Sequence, residues 1–192
     1  APLLAVSPGQ INAVMPWNVL PAGAQTGTAQ VVVTSNNVPS APVAIPVAAV
    51  APGLFRLGPD ASGTFWPLAY NNNDASLALP PGTFAPAFVA RPAKIGDPAT
   101  LAIWATGLGP VTVTPADGNP PSGESDTVTK PTILIGGVPA QVVFSGLQGQ
   151  YPGVYQINVI VQPGTPTGNS VPIQLKMGGT TITDQLNMAV TN

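Results

Sequence analysis

Apolar and polar side chains alternate most clearly over Tyr155 to Val161. Tyr155, Ile157, Val159 and Val161 fall on one face, Gln156 and Asn158 on the other. A period of two is that of a half-buried sheet strand. The run Ala99 to Thr106 reads the same way, with Leu101, Ile103 and Ala105 on one face and Trp104 opposite. Gln30 to Thr34 is a short valine run closed by Ser35-Asn36-Asn37, which predicts a hairpin turn. Ala41 to Val50 is extended, with prolines suited to an edge strand. Phe65 to Tyr70 is an aromatic strand ending in the turn Asn71 to Asp74. Thr132 to Ile135 and Ala140 to Phe144 read as a hairpin about Gly136-Gly137. Val171 to Met177 and Thr181 to Val190 repeat that arrangement about Gly178-Gly179. No window has helical periodicity with caps, so the chain reads as all-β.

The pattern also repeats. Gln10-Ile11-Asn12 returns as Gln156-Ile157-Asn158. An apolar strand, a Pro/Gly/Thr loop, a second strand, a paired turn (Asn36-Asn37 or Gly178-Gly179) and a last apolar strand follow in both places. Repetition at this scale predicts two related units, here two immunoglobulin-like β-sandwich modules in tandem, residues 1–92 and 93–192. The boundary falls at Arg91-Pro92-Ala93-Lys94. The second copy has Ala99 to Phe144 before it to supply front strands, but the first has only Ala1 to Pro8. The first sandwich is therefore finished either by Pro52 to Pro92 folding back or by strands from a neighbouring chain.

Composition supports the strand reading. The 192 residues include 25 Pro and 21 Gly. Proline removes an amide donor and clashes with the preceding helical turn, so long helices are excluded. The apolar stretch Ala41 to Phe55 is interrupted by Pro42, Pro46 and Pro52, which excludes a membrane-spanning helix there. Hydrophobic residues make up 44% of the chain and charged residues 6%. With five basic side chains and a net charge of −2, no basic patch can form. That argues against nucleic acid, whose binding needs several phosphates neutralised together. The chain opens Ala1-Pro2-Leu3, as a secreted chain does once its leader is removed.

Six motifs taken in order resemble one family. They are Ser7-Pro8-Gly9-Gln10-Ile11-Asn12, Val50 to Phe55, Gly96-Asp97, Ala105 to Pro110, Ile135-Gly136-Gly137 and Gly153 to Val159. Together they resemble the Solibacter-type C-terminal domain family of bacterial extracellular proteins, over Ser7 to Val190. The resemblance implies secretion, an immunoglobulin-like sandwich and a place in surface proteins. It implies no catalytic residues.

The residues that could carry chemistry are few. The chain has no His and no Cys, which removes His-dependent triads, thiolate chemistry and most zinc sites. Glu124 and Asp126 are a close acidic pair, but they sit in a Pro/Ser/Gly loop unsuited to holding two carboxylates across a cleft. Lys94, Lys130 and Lys176 stand in no Ser-x-x-Lys motif, and Lys176 reads as a charge that protects a strand edge. Asn71 to Asp74 and Asp117-Gly118-Asn119 read as turns in preference to calcium sites. An enzyme would need Asp97 or Asp117 to meet another acid across the modules. No catalytic site, cofactor or metal is expected.

Two non-enzymatic functions remain. The first is a structural subunit of a cell-surface filament that polymerises with copies of itself by β-strand addition. Its assembly residues would be the apolar Leu3, Leu4 and Val6. The second is an adhesin or carbohydrate-binding module that recognises surface glycans. That reading requires Trp17, Trp66 or Trp104 to be exposed beside polar groups, the alternative being that they fill a core.

Overall fold

The computed structural model describes residues 1–181 and 186–192, and no helix forms among them. The N-terminal part consists of two-stranded sheets. Leu3–Ser7 (β1) pairs antiparallel with Gln10–Ala13 (β2). Thr26–Val31 (β3) pairs with Val43–Ala48 (β6). Between them Thr34–Ser35 (β4) pairs with Val38–Pro39 (β5) around Asn36-Asn37. Both asparagines have positive φ, 49° and 63°, which a tight two-residue hairpin turn requires and Asn tolerates. The Ser40 amide, donating to the Val33 carbonyl at 2.8 Å, links these two short sheets across a break in strand structure at Val32 and Val33.

The rest of the chain builds one two-sheet sandwich. The first sheet takes Gly53–Leu54 (β7), and the short hairpin Arg56–Leu57 (β8) with Trp66–Pro67 (β9) lies beside it. Ala69–Asn71 (β10) and Ser76–Leu77 (β11) then form its edge. Ala93–Lys94 (β12) leads to Leu101–Thr106 (β13). Thr132–Ile135 (β14), Val138–Pro139 (β15), Gln141–Leu147 (β16), Tyr155–Ile160 (β17), Gly168–Met177 (β18), Thr180–Thr181 (β19) and Leu186–Thr191 (β20) follow. The first sheet has the order β11-β10-β13-β17-β16, with β7 also on β13. The second has the order β12-β20-β18-β14-β15, with β19 on β18.

The core lies between these sheets. Ile103, Ile157 and Val159 from the first meet Ile133, Ile135, Ile173, Leu175 and Met188 from the second, all essentially sealed from solvent. Each such side chain contributes roughly 1.5–3 kcal/mol by leaving water. The alternation expected along Tyr155 to Val161 holds, since all four apolar residues are buried and Gln156 and Asn158 face outward, partly exposed. The hairpin about Gly178-Gly179 forms as expected, and residues 182–185 of its second strand lie outside the described residues.

Several expectations need correction. The boundary at residue 92 does not separate the sheets, because β7 and β10 hydrogen-bond directly to β13. Pro52 to Pro92 therefore completes the C-terminal sandwich and does not fold back onto the first repeat. The expected hairpin between Thr132–Ile135 and Ala140 to Phe144 is cut short. Val138 and Pro139 pair with β14 and the Ala140 amide donates to the Ile133 carbonyl at 2.9 Å, after which β16 crosses to the first sheet to pair with β17. Lys176 protects no edge: its strand is paired on both sides, and the side chain points outward.

Candidate functional site: the uncovered N-terminal strands

The two copies of the repeat fold alike locally. Gln10 Nε2 donates to Asn12 Oδ1 at 2.6 Å, and Gln156 Nε2 donates to Asn158 Oδ1 at 2.8 Å. Val31 pairs with Val43 and Ala29 with Ile45 in the first copy. Ile173 pairs with Leu186 and Val171 with Met188 in the second. In both ribbons apolar residues sit opposite apolar residues on one face, although β18 and β20 carry a bulge that β3 and β6 lack.

Their surroundings differ. In the second copy β17 lies between β13 and β16, and β18 between β14 and β20. In the first copy β2 pairs only with β1, and β3 only with β6. No residue from Ala1 to Gly53 is buried. Eleven of the 19 large exposed hydrophobics among the described residues lie in that segment, Val32, Val33 and Val38 included, so the apolar surface is concentrated. Exposed apolar surface gathered in one segment is a candidate interaction surface. The free edge of β3 has a full row of amides, since no Pro lies between Thr26 and Val38, whereas Pro39, Pro42 and Pro46 interrupt the opposite strand.

The structure places Leu3, Leu4 and Val6 together on β1, where they are 63%, 54% and 64% exposed. Leu3 sits opposite Ala13 and Val6 opposite Ile11, so β1 has one edge paired and one free. A cleft of about 650 Å³ separates this hairpin from the sandwich. Leu4, Ile11, Met15 and Trp17 line one wall, and Phe55 and Tyr155 are on the other. Two polar contacts hold the segment in place. The Trp17 amide donates to Asp117 Oδ1 at 2.9 Å, and the Ala51 amide donates to the Gly107 carbonyl at 2.9 Å.

The other candidate residues serve local roles. Glu124 is exposed, while Asp126 is half-buried in a bridge to Gly146. In the Asn71 turn, Asp74 Oδ1 accepts from the Ser76 amide and hydroxyl, and its Oδ2 pairs with Arg91 Nε at 2.5 Å. The Ser76 hydroxyl and Arg91 hold the Asp74 carboxyl down at about 2. Asp97 accepts from the Ala99 amide and from Asn73. Asp117 is taken up by the Trp17 amide, so Asp97 and Asp117 each tie their own loop to another segment.

The tryptophans separate. Trp66 is buried, its Nε1 donating to Asp60 Oδ2 at 2.9 Å. Trp17 is at the cleft. Trp104 is half-buried on the outer face of the first sheet, as its opposition to Leu101 and Ile103 implies. There it packs against Tyr70 and Tyr151, with ring centroids 6.0 and 5.5 Å away. Sequence reasoning missed both tyrosines.

No protein-family model, curated protein or solved structure matches the chain. The resemblance to the Solibacter-type family rests on its six motifs alone.

Proposed function

We propose that the protein is a non-enzymatic extracellular structural subunit that assembles with copies of itself by β-strand addition into a cell-surface filament. The observation that carries this reading is the contrast between the repeats. An apolar ribbon that is covered and edge-paired in the second copy is uncovered and unpaired in the first. A neighbour's exposed β1, with Leu3, Leu4 and Val6, supplies what the first copy lacks. Pairing along the free edge of β3 satisfies a row of backbone groups and covers the valines. A contact between two different surfaces of one chain repeats from copy to copy and does not close, so it extends into a fibre. The low charge of the chain adds little repulsion between edges.

The test is electron microscopy and sedimentation of the purified chain, alone and as the double variant Leu3→Arg, Val6→Arg. Wild type is expected to form filaments and the variant to stay monomeric with the same unfolding curve. A wild type that remains monomeric at high concentration would sink the proposal.

A further inference from the structure

The outer face of the first sheet has a second surface, unrelated to the repeat. Pairing of β10 with β13 and of β13 with β17 sets Tyr70 beside Ala102, and Trp104 beside Gln156. Ala102 contributes little bulk, and a hollow of about 290 Å³ opens there, lined by Tyr70, Asn72, Ala75, Ala102, Trp104 and Gln156. Tyr151 extends the aromatic surface from the loop before β17, 50% exposed. That loop is held in shape: Gln148 Oε1 accepts the amides of Gln150 and Tyr151 at 2.6 and 2.9 Å. The platform is thus built before any ligand arrives.

Its polar groups are the amides of Asn72 and Gln156, the Tyr70 hydroxyl and the Trp104 indole N–H. The bond from Gln156 Nε2 to Asn158 Oδ1 fixes both side chains. Among the described residues it leaves Gln156 Oε1, an acceptor, and Asn158 Nδ2, a donor, without a protein partner. No charged side chain lines the hollow. An anionic ligand would meet no cation there. A proline-rich peptide would present carbonyl acceptors to the Trp104 and tyrosine donors but no hydroxyl to the Gln156 Oε1 acceptor. A sugar hydroxyl both donates and accepts, and the C–H face of a pyranose ring stacks on an aromatic ring. Aromatic rings flanked by free donors and the Gln156 Oε1 acceptor match that chemistry.

We propose that this face binds a neutral polysaccharide, with sugar rings stacked on Trp104 and Tyr151 and hydroxyls held by Gln156 and Asn158. The site stands whether or not the chain assembles, because it lies on the sandwich and uses no residue of the N-terminal strands.

The test is affinity electrophoresis with tryptophan-fluorescence titration, using soluble β-1,3-glucan, mannan and xyloglucan, with alginate and oligoproline as contrasts. At least one neutral glycan is expected to retard the wild-type protein and shift its emission. Tyr151→Ala, on an exposed loop, is expected to weaken that binding at least tenfold with an unchanged unfolding curve. Trp104→Phe, which keeps an aromatic face, is expected to weaken it less. The proposal is overturned if none of the neutral glycans binds, if only alginate or oligoproline binds, or if Tyr151→Ala binds as the wild type does.

Discussion

Val31 and Ile173 hold equivalent places in the two copies of the repeat, yet Val31 is 41% exposed and Ile173 1%. Each faces an apolar partner across its ribbon, Val43 or Leu186. Local pairing is thus the same, and the difference is what covers the face. For β18 and β20 the covering layer is the first sheet.

That contrast predicts unequal costs of truncation. Ile173→Ala removes buried methyl groups and leaves a cavity, which costs about 2–5 kcal/mol. Val31→Ala in the monomer removes side-chain atoms already in contact with water, and is expected to cost under about 1 kcal/mol. Urea unfolding of the two variants, fitted with a common slope, measures both. Comparable losses would mean that the ribbon is covered in solution.

Tyr155 predicts a limit on the alkaline side. Its hydroxyl is buried and donates to the Gly109 carbonyl at 2.6 Å. Burial pushes the phenol from 10.0 up to about 12. A proton held more tightly in the folded state stabilises it fully below the unfolded value of 10.0. That contribution is lost as pH rises through about 12, because the unfolded chain ionises first. The loss approaches roughly 3 kcal/mol. Tyr155→Phe is expected to cost about 1 kcal/mol at neutral pH for the hydrogen bond. It should also flatten the decline between pH 10 and 12, as thermal melts across that range would show.

Asp60 predicts a local change in acid. Its Oδ1 accepts from the Ser62 hydroxyl and from the amides of Ser62 and Thr64, while Oδ2 accepts from Trp66 Nε1. Those bonds, led by the Ser62 hydroxyl, lower its carboxyl from 3.8 to about 2. A depressed value means the stabilisation is present above 3.8 and lost as pH falls through about 2. The expected signal is a change in Trp66 emission in that window, absent in Asp60→Asn. An identical acid titration in the variant would remove Asp60 as the cause.

The strands best read from sequence are those long enough to show a period. β17 displays its alternation over six residues, and the paired turns at Asn36-Asn37 and Gly178-Gly179 declare themselves by residue type. The course of Pro52 to Pro92 was not legible. Its strands, β7 to β11, are two or three residues long and separated by prolines and loops, so no period develops. β7 and β10 pair with β13, which comes later in the chain and whose own pattern says nothing about what it accepts. The aromatic platform was half legible. The alternation along β13 turned Trp104 outward, but Tyr70 and Tyr151 reach it only through the pairing of β10 and the fold of the loop before β17. The bareness of Leu3, Leu4 and Val6 followed from the missing front strands of the first repeat, a long-range comparison and not a local signal.

One of the two polar contacts between the N-terminal segment and the sandwich depends on Gly107. Its φ of +68° lies in the left-handed region, and a Cβ there would come within 1.9 Å of the Ala51 carbonyl oxygen. That close approach lets the Ala51 amide reach the Gly107 carbonyl and brings Gly53 into register with Thr106. Gly107→Ala cannot keep both the angle and the contact. It is expected to destabilise the fold by about 1–3 kcal/mol and to free the chain around Ala49 to Pro52. Elastase should then cut there several-fold faster than in wild type, followed by mass spectrometry of the fragments. Gly149→Ala is the control, since a Cβ there meets nothing within 4 Å. If both variants are cleaved at the wild-type rate, the joint is held by something other than this contact. If Gly107→Ala alone is cleaved faster while the remaining sandwich melts cooperatively, the N-terminal strands are an appendage on which the stability of the sandwich does not depend. An appendage of that kind is free to meet a neighbouring chain while the sandwich stays intact.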